Sequence, residues 1–182
     1  MYMFGRYTTA LLTAFLTIAP AISGANESLK PWNLLGGKVT MLVLPGLTLM
    51  SEADKREKYP GDNAPAYVLT NEDWSTNIAF DHKKLSMKPG EVHELEQPMR
   101  KHMSNAIINW SGVRRLNGIE FLLIDADVRL EDATVHNLIA VTSLEGRMLV
   151  ISYNCILDFD PKCGVKGPPL INSIVLNPGA GK

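Results

Sequence analysis

The strongest constraint on this chain is a series of turns in its C-terminal half that cut long, apolar-rich runs into strands. Residues 109–116 lead into Asn117-Gly118, the clearest two-residue hairpin signal in the sequence, because both central positions of a type I′ turn need positive φ. A strand over 119–130 follows, then a turn around Asp132-Ala133, a strand over 134–144, the Glu145-Gly146 turn and a strand over 147–156. With two-residue turns, Ile124 faces Val141, which faces Val150, and Ala126 faces Ile139, which faces Ser152. Leu138 opposite Tyr153 and Ala140 opposite Ile151 make the second face apolar as well. A meander that is apolar on both faces needs a layer on each side.

The rest of the chain offers those layers. Residues 38–44 alternate as a strand, stopped by Pro45-Gly46. Ser51-Glu52-Ala53-Asp54 has the form of a capping box, so a short solvated helix is expected to about Tyr59, ahead of Pro60-Gly61. Residues 66–70 and 76–82 read as strands around the Asn71-Glu72-Asp73 turn, and 83–90 as a loop. Val92, Leu95, Met99, Met103, Ala106 and Ile107 then fall on one helical stripe, with the helix starting near Leu95 and Pro98 in its first turn. This helix covers one face, and residues 170–176, after Pro168-Pro169, cover part of the other.

Residues 1–25 are expected to be a cleavable secretory leader. Arg6 precedes an uncharged apolar stretch over 7–22, and Ser23-Gly24-Ala25 supplies small residues before a cut after Ala25. Residues 26–182 then form a single domain in the periplasm. Removing Arg6 with the leader leaves 17 basic and 19 acidic side chains, a net charge of −2, which gives no electrostatic reason to bind nucleic acid or anionic lipid. No later segment has the length and apolarity of a membrane span, and no cysteine lies near the cut to take a lipid. Cys155 and Cys163 are expected to pair in an oxidising compartment, closing a nine-residue loop. Free thiols are the alternative; a zinc site lacks a neighbouring histidine.

Asn33-Leu34-Leu35-Gly36-Gly37-Lys38-Val39, followed by the alternating strand, a proline and a helix, resembles the start of a DcrB-like domain within the PsbP-like superfamily. Leu170-Ile171-Asn172-Ser173-Ile174-Val175-Leu176 is similar to the terminal helix of that family. The resemblance implies an α/β (α+β) fold, an α/β/α sandwich around a twisted, mainly antiparallel sheet. It also implies non-enzymatic roles: envelope accessory lipoproteins, photosystem extrinsic subunits or effector-handling chaperones.

Two clusters could carry chemistry or recognition. Asp125, Asp127 and Arg129 alternate on one face of a strand, with Arg129 expected opposite His136. Carboxylates beside a histidine suit acid/base or metal chemistry, whereas alternating charge on a strand also makes a plain solvated face or a protein-binding patch. Asp158-Phe159-Asp160 has the Asp-x-Asp spacing of a calcium loop but lacks the distal ligands; held between the cysteines, it reads better as a recognition knob around Phe159. The four histidines, 82, 93, 102 and 136, have no metal-like spacing, and there is no nucleophile elbow, phosphate loop or Cys-x-x-Cys pair. The expectation is a protein without cofactor, metal or catalysis that binds another protein. An immunity protein against a toxin acting in the envelope fits export without an anchor; a DcrB-like factor in envelope biogenesis or maintenance is the alternative.

Overall fold

A computed structural model describes residues 28–61 and 64–180; the leader expected over 1–25 lies outside the described residues. The chain enters through β1 (Lys30–Leu34), a 3-10 turn, β2 (Val39–Val43) and β3 (Thr48–Leu49), then α1 (Glu52–Lys58). Strands β4 (Tyr67–Thr70) and β5 (Thr76–Ser86) follow, then a 3-10 turn (Glu91–Leu95) and α2 (Glu96–His102). The meander comprises β6 (Ala106–Leu116), β7 (Ile119–Arg129), β8 (Thr134–Leu144) and β9 (Arg147–Ile156). A 3-10 turn (Cys163–Lys166), α3 (Gly167–Asn172) and β10 (Val175–Leu176) complete the order.

Seven strands form one antiparallel sheet in the order β3-β4-β5-β9-β8-β7-β6, and β1-β2-β10 form a second, smaller antiparallel sheet. The class is therefore α+β with a mainly antiparallel sheet, as the meander requires. On one face of the large sheet, Leu122, Ile124, Ala126 and Val141 are buried with Val92 beneath the 3-10 turn and α2. Val68 and Ala79 on the same face pack with Met50 and Tyr59 near α1. The opposite face carries Leu69, Ile78, Phe80, Ile151 and Tyr153, buried against Val39, Met41 and Val43 of the small sheet and Leu170 and Ile171 of α3. Each fully buried large apolar side chain stabilises the fold by about 1.5–3 kcal/mol, so these two cores hold the layers together.

Local chemistry explains several boundaries. Ser51 caps α1, its hydroxyl accepting from the Asp54 N–H at 3.1 Å. Asn117 and Gly118 have φ of 46° and 85°, and Glu145 and Gly146 have 52° and 74°, the backbone of hairpin turns whose twist matches the strands.

The β7–β8 turn differs from expectation. It centres on Glu131-Asp132, with the Leu130 N–H donating to the Ala133 carbonyl at 2.8 Å. Ile124 therefore faces Ile139, and Ala126 faces Asn137. No glycine marks this turn, so packing across the strands selects the register. The shift is two residues, an even number, so every side chain keeps the expected face. The β8–β9 register agrees with expectation, including Val141 opposite Val150 and Leu138 opposite Tyr153.

Three segments also differ in kind. β5 runs on to Ser86 through a register irregularity after His82, where a loop was expected. α2 stops at His102, and Ala106 and Ile107 belong to β6 because that strand pairs with Val128 and Asp127. Residues 170–176 are helical only to Asn172; Val175 and Leu176 pair with β2.

Candidate functional site

Asp125, Asp127 and His136 come together on the face of the large sheet that α3 covers, while Asp158, Phe159 and Asp160 lie in the loop after β9. Arg129 lies opposite Thr134, and it is Asp127 that lies opposite His136, which corrects the expected pairing of Arg129 with His136. The two-residue register shift is the cause. Asp127 Oδ1 is 2.8 Å from His136 Nδ1, and Asp125 Oδ1 is 3.9 Å away. Asn109 joins them: its amide donates to Asp125 Oδ1 at 2.9 Å and to Asp127 Oδ2 at 3.1 Å. Asn109 reaches both because the β6–β7 register breaks between Ile108 and Trp110, leaving Asn109 as the extra residue of a bulge.

His136 is buried, at 8% exposure. A Cβ placed on Gly164 would sit 3.3 Å from His136 Nε2, so the backbone of the 3-10 turn closes over the free edge of the ring. The ring therefore sits between Asp127 and the backbone at Gly164. It fastens the segment after the disulfide to the sheet. Among the described residues, no group of three histidine, cysteine or acidic side chains is arranged to hold a metal ion.

Cys155 and Cys163 form the disulfide. Both are buried in the main core, and the buried Tyr153 hydroxyl donates to the Cys163 carbonyl at 3.0 Å. Burial pushes the Tyr153 hydroxyl far above its ordinary pKa, keeping it a donor. Within the closed loop both acids are held by hydrogen bonds. Asp158 Oδ2 accepts from the Thr134 N–H at 2.7 Å, tying the loop to β8. Asp160 accepts from Lys166 Nζ at 2.7 Å and from the Lys162 N–H at 3.0 Å. The Lys166 hydrogen bond, with that from the Lys162 amide, holds the Asp160 carboxyl below its ordinary value. Phe159 is left pointing out, 72% exposed, with Val165 of the following turn at 73%.

Past α3's first turn lies a depression of about 180 Å³ lined by Trp110, Leu123, Asp125, Leu138, Pro168 and Ile171, among others. Trp110 lies across Gly112, where an added Cβ would come within 3.1 Å of the indole, and the Arg114 guanidinium stacks on it at 4.7 Å. The period-two run Trp110, Gly112, Arg114 was the sequence signal for this platform; it went unused because a strand tryptophan reads first as core. Asn109, Gly164 and Val165 carried no such signal. Pro168 of α3 and Trp110 of β6 thus meet across this depression.

No family profile and no curated protein sequence matches the chain. Several solved structures are similar, three of which follow. The solution structure of cyanobacterial PsbP (CyanoP) from Synechocystis sp. PCC 6803 has a TM-score of 0.53 and 12% identity, covering 88% of this chain and 99% of that one. The crystal structure of LpqN, involved in cell envelope biogenesis of Mycobacterium tuberculosis, has a TM-score of 0.53 and 13% identity over 83% and 91%. A crystal structure from Bacteroides thetaiotaomicron has a TM-score of 0.52 and 13% identity over 84% of this chain and 50% of that one. At these identities the likeness is one of fold: the chain has a PsbP-like fold.

Proposed function

We propose that this chain is a non-enzymatic protein-binding domain that works in the periplasm, and that it neutralises a toxin delivered to the cell envelope. The observation that carries the reading is the loop between Cys155 and Cys163. Its acids are engaged in hydrogen bonds to Thr134 and Lys166, while Phe159 is 72% exposed and Val165, in the following turn, 73%. A rigid aromatic on a cross-linked loop loses little entropy on docking, which is what an interface anchor needs. The buried environment of His136 supports binding over catalysis, since the ring is committed to Asp127 and Gly164. The apolar leader and the disulfide support an oxidising destination, and among the described residues no helix is long and apolar enough to cross a membrane. A toxin acting in the envelope must be met there, so export suits an immunity protein.

The test is protection. Cells making the exported protein should survive periplasmic expression of the toxin encoded beside it, and the two should copurify in a fixed ratio. Phe159→Ser with Val165→Ser should abolish both while leaving the fold intact. Full protection by that double variant, or a neighbouring gene product that never copurifies, would defeat the reading.

A DcrB-like accessory role in envelope biogenesis is the second reading. Its support is the fold shared with LpqN, a protein involved in that process in M. tuberculosis, together with the segments over 33–39 and 170–176. Under it, loss of the gene would weaken the envelope with no toxin present.

A further inference from the structure

On the opposite face of the sheet, near the end of α1, is a pocket of about 360 Å³ that the docking loop borders through Cys155 and Ile156. Asn77, Asn154 and Asn137 pair side by side across β5, β9 and β8, and all three line it. Three adjacent amides on a half-apolar sheet face are unusual, and two are incompletely bonded. Asn77 Oδ1 and Asn154 Oδ1 are buried and accept no hydrogen bond from the protein. Asn77 is 3% exposed, so bulk water does not satisfy it. Buried acceptors without a protein donor are rare in native proteins, and a water or a ligand hydroxyl would supply the donor here.

Tyr59 and Trp74 supply aromatic walls. Trp74 has φ of 59°, a conformation that a bulky side chain seldom adopts. Its carbonyl is pinned by the Lys58 ammonium and by Asn77 Nδ2. Backbone strain held in place by surrounding bonds is characteristic of ligand clamps.

The same groups limit the ligand. Lys58 lines the pocket and repels a cation. Two unpaired carbonyl oxygens repel an anion, and the charge of Asp73 opposes that of Lys58. What remains is a neutral molecule carrying several O–H donors and one flat apolar face. The volume is at the small end of the roughly 300–1,000 Å³ of ligand pockets.

We propose that this pocket binds a saccharide, whose hydroxyls donate to Asn77 and Asn154 and whose ring lies against Trp74 and Tyr59. The pocket's amides and aromatic rings lie outside the docking loop, although Cys155 and Ile156 at the start of that loop also line the pocket.

The experiment titrates the purified protein with glucose, galactose, mannose and N-acetylglucosamine, following tryptophan fluorescence and saturation-transfer NMR. At least one sugar should give a saturable change. Asn154→Leu should weaken that binding at least tenfold while raising Tm, because it removes an unpaired buried acceptor; a loss of binding in a more stable protein is not misfolding. Trp74→Gly should abolish the fluorescence response and tolerate the positive φ. If none of the four sugars binds, or Asn154→Leu binds as well as the native protein, the pocket holds water alone and the proposal is wrong.

Discussion

Reducing the disulfide between Cys155 and Cys163 tests the central structural claim about the docking loop. The bridge spans a sequence separation of 8, closing a loop of nine residues. In the chain-entropy model a loop of that size restricts the unfolded chain by about 2.5 kcal/mol at 25 °C. Reduction keeps both sulfurs in place, so packing around them changes little, and the entropic term dominates. The expected result is a urea midpoint lower by about 1 M and a Tm lower by about 5–10 °C for a chain of this length. Cys155→Ala with Cys163→Ala should cost more than reduction, because both cysteines are 1% exposed in the main core and truncation leaves a gap. The assay is urea unfolding followed by circular dichroism, with and without reductant, alongside amide exchange of residues 157–162. Exchange in that segment should rise on reduction, and partner binding through Phe159 should weaken with it. An unchanged midpoint in reductant, or faster loop exchange with no loss of binding, would refute the argument that the cross-link preorganises the anchor.

Gly167→Ala should destabilise by about 1–3 kcal/mol, because the new methyl would lie 2.8 Å from Tyr153 Cδ1 and 3.2 Å from Leu138 Cδ2, both in the core; the urea midpoint reports it. Phe159→Ser should leave the unfolding free energy within about 0.5 kcal/mol of native, since the ring is exposed, while abolishing capture of the partner. Asp160 is ionised more readily in the folded protein than in the unfolded chain, so its contribution is present above the ordinary carboxylate pKa and lost as pH falls through the lower folded value. The protection of the loop amides, relative to their intrinsic exchange rates, should therefore fall below about pH 4, and Asp160→Asn should remove that fall.

Features governed by neighbouring residues were readable in advance. Asn117-Gly118 and Glu145-Gly146 fold as turns because their backbone preferences are local. Ser51 caps its helix through a bond to a residue three positions away. Cys155 and Cys163 are close along the chain and pair where expected. Strand faces survived even the misjudged β7–β8 turn, because side-chain alternation depends on parity and not on register.

Contacts between distant segments decided the rest. Lys30–Leu34 is a strand because β2 offers it an edge, and Val175 and Leu176 leave the helical pattern to pair on the other edge. Asp127 meets His136 through packing of the β7–β8 pair, while Gly164, far along the chain, seals the ring. The Asn77–Asn154–Asn137 row joins three strands whose alignment no local pattern encodes. Turn and capping energies involve a few adjacent residues and can be read off their chemistry. Register, burial and the seating of one layer on another are set by the summed packing of the whole core, which appears only when the chain is closed on itself.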